Sequence, residues 1–216
     1  MDEGKIWKNI TPVSLPSGGR IDCIEPSIHQ KGKAYFSVLR YQLGDWKPYI
    51  YKSSDYGKTW KLLTNGANGI PSDYPVRVVR EDPEVPGILY AGTEYGLFLS
   101  LNDGESWAPF QLNLPITPVS ELKIKNNDLV LSTMGRGFYV LDNIQAIRAW
   151  KNLGNITEFT FIKPNPQYRM RYQPSSSADL TKYPSPSVFF EYFIPNQKDT
   201  ILTLKISDDK GRLVRE

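Results

Sequence analysis

Along the first 141 residues, apolar residues come in short runs, each bounded by Gly, Pro, Asn, Asp or Ser. Runs of that length, closed at both ends by turn formers, predict strands and not helices. They fall into sets. Residues 20–24, 33–39, 48–53 and 60–63 form a first set of four; 76–80, 88–92, 97–100 and 107–111 form a second. Residues 119–124, 129–132 and 138–141 form a third set of three, and 7–10 reads as the outer strand of a set whose other strands are missing. The pattern then changes. Apolar residues at 144, 147 and 150 after Asp142-Asn143 predict a short capped helix over 144–150. Beyond it, 156–162 alternates as a strand, and 165–182 is polar and irregular around Pro174-Ser175-Ser176-Ser177. Two further strand signals, 187–194 and 200–207, are followed by an Asp208-Asp209-Lys210-Gly211 turn and the start of another strand at 213–215.

The loops between the third and fourth strands of the first two sets share a motif. Ser53-Ser54-Asp55-Tyr56-Gly57-Lys58-Thr59-Trp60 reads S-x-D-x-G-x-T-W, and Ser100-Leu101-Asn102-Asp103-Gly104-Glu105-Ser106-Trp107 repeats it with Asn for Asp and Ser for Thr. A short Asp or Asn side chain accepts hydrogen bonds from backbone N–H groups further along and closes such a turn. Gly57 and Gly104 supply a positive φ, and the indoles cap the sheet below. A third, altered copy opens the chain, with Asp2, Gly4 and Trp7 in place and Ile6 where Thr belongs. Tryptophans at 7, 60 and 107 thus recur after 53 and 47 residues, the length of a four-stranded propeller blade. These motif residues are expected to hold hairpins and do no chemistry. Trp60 and Trp107 are expected to be buried.

Composition narrows the classes. A formal net charge of +3 spread over 216 residues does not suggest nucleic acid. Cys23 stands alone, so no internal disulfide is available, and His29 is the single histidine. No spacing suits a metal site and no cofactor is implied. Asp208-Asp209 lacks the downstream Glu of a calcium loop. No apolar run approaches the length of a membrane span. Three and a fraction blades do not close a ring, so the sequence reads as part of a longer protein and the remaining blades are its expected partners.

Residues 1–150 resemble the last blades of the bacterial sortilin-like Asp-box (neuraminidase-repeat) propeller proteins, often labelled glycosyl hydrolases. The resemblance is carried by the two loops above and by four further stretches: Arg77-Val78-Val79-Arg80-Glu81-Asp82-Pro83, Leu89-Tyr90-Ala91-Gly92-Thr93-Glu94-Tyr95-Gly96-Leu97, Gln111-Leu112-Asn113-Leu114-Pro115 and Met134-Gly135-Arg136-Gly137-Phe138. Tyr139 stands where Trp is common in that family. The resemblance implies an all-β chain: a partial β-propeller over 1–150, a linker with one strand over 151–186, and the start of an immunoglobulin-like β-sandwich over 187–216. It also implies an exported parent, periplasmic, secreted or at the cell surface. It implies no activity, because one fold hosts many functions.

Blade topology sorts the loops. First-to-second and third-to-fourth strand loops share one face; second-to-third and fourth-to-first loops share the other. The second-to-third loops present Tyr41, Asp45, Trp46, Glu94, Tyr95 and Arg136, a mixture of aromatics, carboxylates and an arginine suited to a sugar or a peptide. Three readings follow. One is a binding module for a peptide, protein or glycan. Another is a glycoside hydrolase with Glu94 and Asp45 as candidate acids; Arg77, Arg80 and Arg136 are then available arginines, but no Arg-Ile-Pro marks a sialidase and nothing pairs the carboxylates. The last is a structural scaffold.

Overall fold

The computed structural model of the chain describes residues 3–154, 157–164, 188–195 and 203–215. It divides into two compact units, Met1–Lys151 and Asn152–Glu216. Among the described residues the protein is all-β apart from one helix and a short 3-10 turn.

In the first unit, β1 (Arg20–Pro26), β2 (Ala34–Leu39), β3 (Ile50–Ser53) and β4 (Lys61–Leu62) form one antiparallel sheet in chain order. Strands β5 (Val76–Glu81), β6 (Leu89–Thr93), β7 (Gly96–Ser100) and β8 (Ala108–Pro109) form a second. Strands β9 (Val119–Lys125), β10 (Asp128–Thr133) and β11 (Phe138–Leu141) form a third, with β11 on its outer edge. These sheets are successive propeller blades. The same irregularity recurs near the start of both complete blades, between Ile21 and Cys23 and between Val76 and Val78. The expected 7–10 strand joins no ladder among the described residues.

Burial follows position in the stack. The middle sheet is covered on both faces, so every residue of β6 and β7 is buried, which is why both read as nearly continuous apolar runs. The flanking strands β1 and β9 are only partly buried. Two glycines mark close approaches between the layers. A Cβ on Gly92 would lie 2.7 Å from Val119 Cγ1 and from Val78 Cγ1. One on Gly69 would sit 1.8 Å from the Trp107 carbonyl oxygen, and Gly69 has φ +117° besides.

Helix α1 (Gln145–Leu153) starts beside Asn143, whose Oδ1 accepts from Gln145 N at 3.3 Å. Ile144 and Ile147 are buried as expected, but Trp150 is exposed. The inward position one turn on from Ile144 belongs to Arg148, which is buried and reaches Asp82 at 3.0 Å.

In the second unit β12 (Thr160–Ile162) pairs with β13 (Glu191–Phe193), and β14 (Ile206–Ser207) with β15 (Leu213–Arg215). Among the described residues, the strands read at 156–162, 187–194 and 200–207 cover Thr160–Ile162, Glu191–Phe193 and Ile206–Ser207. The hairpin at 208–211 forms: Asp208 Oδ1 accepts from Lys210 N and Arg212 N at 2.9 Å each, and Gly211 has φ +77°. The polar stretch 165–182 lies outside the described residues, and no sandwich is assembled among those that are described.

Candidate functional site

The motif loops come first, because they set what is scaffold. Ser53 Oγ accepts from Asp55 N at 3.3 Å and Gly57 N at 2.8 Å and donates to Asp55 Oδ1 at 2.9 Å. Asp55 in turn accepts from Thr59 N at 2.9 Å and Thr59 Oγ1 at 2.6 Å. In the second loop Ser100 Oγ accepts from Asn102 N at 3.4 Å and Gly104 N at 2.9 Å and donates to Asn102 Oδ1 at 3.0 Å. Asn102 Oδ1 accepts from Ser106 N at 2.9 Å, and its amide donates to Ser106 Oγ at 2.8 Å. The Thr59 hydrogen bonds hold the Asp55 carboxyl down at about 2. These bonds are all internal to the loops.

Each loop places two consecutive residues at positive φ: Tyr56 and Gly57 at 61° and 77°, Asp103 and Gly104 at 61° and 84°. Sequence reasoning anticipates only the glycines. The opening copy makes the same turn, with Glu3 at 56° and Gly4 at 80°. Asp2 lies outside the described residues. Trp107 is buried and Trp60 half-buried, packed edge-on against Phe36 at 4.7 Å. Trp7 is 89% exposed, having no sheet of its own beneath it.

The opposite loop face carries the candidate site. After β2 the chain makes a 3-10 turn at Tyr41–Leu43, closed by Gly44 at φ +75°. This brings Tyr41 and Trp46 together, with ring centroids 5.8 Å apart and Trp46 45% exposed. Asp45 is bound beneath them, accepting from Arg40 Nε and from Tyr49 Oη, both at 2.8 Å. Burial pushes the Asp45 carboxyl up, but these bonds and one from Lys47 N outweigh it and hold it below the usual carboxylate range.

The second blade contributes from below. Arg77, buried on β5, lies 5.7 Å from the Tyr41 ring centroid and donates to Tyr41 Oη at 3.4 Å. Its Nη2 is 2.5 Å from Glu94 Oε1, an ion pair without hydrogen-bond alignment, and its Nη1 is 3.8 Å from Asp22 Oδ2. Arg77 Nε is buried and has no partner. Tyr95 stacks at an angle on Tyr74, 4.6 Å between centroids.

Tyr41 and Glu94 thus meet at Arg77, while Trp46 sits against Tyr41 and Asp45 is held by Arg40 and Tyr49, with Tyr95 on the same loop as Glu94. Arg136 is exposed and makes no hydrogen bond or ion pair among the described residues. Sequence reasoning missed Asp22 and Arg40, and it had weighed Arg77 only as a catalytic arginine. The available signal was position: Asp22 and Arg77 lie near the starts of β1 and β5, which border this face. Arg80 serves elsewhere, joining Glu25 at 2.9 Å, Glu121 at 2.8 Å and the Leu122 carbonyl at 3.2 Å, and so tying the inner strands of all three blades.

Among the described residues no group of His, Cys, Asp and Glu could hold a metal ion. His29 Nε2 donates to the Asp82 carbonyl oxygen at 2.7 Å. No described helix is long and apolar enough to cross a membrane.

No protein-family model matches the chain. A curated relative, the (S)-canadine synthase CYP719A21 of Papaver somniferum, is 29% identical over 117 residues, covering 51% of this chain and 22% of that enzyme. Three solved structures are similar to parts of the fold. YCF48 bound to D1 peptide has a TM-score of 0.46 at 16% identity, covering 65% of this chain and 43% of that one. The GH74 xyloglucanase of Xanthomonas campestris has a TM-score of 0.46 at 19% identity, covering 62% and 22%. The Niastella koreensis GH74 enzyme has a TM-score of 0.45 at 14% identity, covering 57% and 21%. The chain spans less than half the length of each of these four proteins, and such likenesses assign no activity to it.

Proposed function

We propose that this chain is a ligand-binding propeller module of the sortilin-like type its sequence resembles, taking a peptide, protein or glycan on the Tyr41–Trp46 face. The observation that supports this most is the Tyr41–Trp46 pair, with Arg77 against the Tyr41 ring. An exposed indole and a phenol offer apolar faces for stacking on a sugar ring or an apolar side chain. The buried guanidinium beneath, flanked by Glu94 and Asp22, offers directional polar contacts at the rim. An exported parent belongs to the same proposal.

A glycoside hydrolase is the second reading, and one observation weighs against it at this face. Such an enzyme needs a carboxyl that stays protonated to serve as the acid. Asp45 is held ionised by Arg40 and Tyr49.

Peptide and glycan arrays, run beside a glycoside-turnover assay, test the proposal. Binding without turnover is expected, and Trp46→Ala should weaken it by about five- to thirtyfold, the loss of about 1–2 kcal/mol of aromatic contact. Turnover of a glycoside that survives Trp46→Ala would overturn it.

A further inference from the structure

We propose that the partner of the Tyr41–Trp46 face is a protein segment carrying apolar side chains beside acidic ones, and that Leu112 is one of the anchors that hold it. The inference rests on the binding reading above and chooses among its ligand classes.

The loop between β8 and β9 emerges on the same face as the Tyr41–Trp46 turn, because β8 runs antiparallel to β7. It is locked from within. Gln111 Oε1 accepts from Leu97 N at 3.3 Å, and Gln111 Nε2 donates to the carbonyl oxygens of Leu114 at 2.8 Å and Pro115 at 3.0 Å. Leu114 N donates to the Gln111 carbonyl at 2.7 Å, and the Leu114 side chain is buried. Leu112 lies between these fixed points, at φ +43° and 66% exposed. A left-handed backbone is uphill for leucine, and an exposed leucine gains no burial in return. Asn or Gly would hold the same turn with less strain. Strain kept at a rigid, exposed position points to a contact made there.

The neighbouring loops share the character of Leu112. Ile116 is 76% exposed, and Met134 on the β10–β11 loop 55%. These two loops are joined, since Met134 N donates to the Pro118 carbonyl at 3.0 Å and Thr117 Oγ1 to the Met134 carbonyl at 3.4 Å. Tyr95 and Trp46 continue the exposed apolar surface on the loops of the second and first blades. Polar side chains of these loops bond within them: Thr93 Oγ1 donates to the Gly96 carbonyl at 3.0 Å, and Thr133 Oγ1 to that of Gly137 at 2.8 Å. A glycan meets few free hydrogen-bonding groups here, whereas apolar side chains of a protein bury this surface from water.

Charge narrows the partner further. Asp45 and Glu94 each lie beside an arginine, Arg40 and Arg77. Lys47, next to Trp46, and Arg136, two residues beyond Met134, are exposed, and their side chains make no hydrogen bond or ion pair among the described residues. Asp73 is the remaining exposed acid of these loops. The face is left net positive, which suits acidic residues in the partner.

Leu112→Asn removes the anchor and suits the left-handed backbone, so the variant should melt no lower than the wild type. Binding is read on an array of short synthetic peptides in three sets, apolar-acidic, apolar-basic and polar-acidic, beside a glycan array. The wild type should bind the apolar-acidic set best. Leu112→Asn should weaken that binding by about tenfold. The double variant Lys47→Glu/Arg136→Glu should move the preference to the apolar-basic set. A lower melting temperature for Leu112→Asn would make Leu112 a structural residue and overturn the proposal. Peptide binding that ignores Leu112→Asn or the charge reversal also overturns it, as does a wild type that takes glycans and not peptides. In those cases binding still weakened by Trp46→Ala leaves the binding module standing. A wild type that binds neither array overturns both.

Discussion

Ser53 shows how much a single hydroxyl holds. Its Oγ is buried, takes two backbone N–H groups and gives its proton to Asp55. Ser53→Ala leaves the Gly57 N–H without a partner inside the loop, and should cost about 1–3 kcal/mol in urea unfolding. Asp55 is more exposed and reports through pH. Its carboxyl is held at about 2 by Thr59, against about 3.9 in an unfolded chain. A depressed folded value stabilises above the unfolded one and is lost as pH falls through the folded one. Melting temperature should therefore drop between about pH 4 and pH 2 through this loop. Asp55→Asn, the residue the second loop uses at 102, keeps an acceptor for Thr59 and should flatten that part of the profile.

Between elements, the first two blades are joined on the motif face by a buried charge network. Lys33 Nζ lies 3.0 Å from both Glu81 Oε1 and Asp103 Oδ1, Lys52 Nζ is 2.9 Å from Asp103 Oδ2, and the Tyr35 hydroxyl lies within hydrogen-bond reach of both carboxylates and gives its one proton between them. Burial opposes ionisation of Glu81 and Asp103, but their hydrogen bonds outweigh it and hold both carboxyls below their usual range. Lys33→Met leaves Glu81 charged and buried with neutral donors only, and should cost about 3–5 kcal/mol in chemical denaturation. A cost under about 1 kcal/mol would show that water replaces the ammonium. Strand identity was legible at this scale because each run is short and bounded by turn residues. The position of Asp103 was not, since it occupies an unspecified place in the motif and matters only because the neighbouring blade brings Lys33, Lys52 and Tyr35 to it.

The two loop faces divide the work. The motif face holds hydrogen-bonded turns and the interblade charges, while the opposite face carries exposed aromatics, with Arg77 against the Tyr41 ring. That separation was legible from strand order alone, because alternate loops of a meander emerge on alternate sides. The grouping of Tyr41, Trp46, Glu94 and Arg77, and the isolation of Arg136, were not.

Local chemistry decided what the amino-acid order could decide. Strand lengths, motif loops, the repeat and the all-β class depend on contacts within about a dozen residues, which turn formers and apolar periodicity encode directly. The tertiary structure alone decided which charges meet. Arg77 lies on β5 and Glu94 on the loop after β6 of the same blade, but Asp22 and Tyr41 come from the neighbouring blade, and their approach depends on how two sheets twist and stack. It also set Trp7 apart from Trp60 and Trp107, though the three stand in the same motif. An indole is buried only where a sheet lies beneath it, and that depends on what packs against the blade, not on the eight residues that surround the ring.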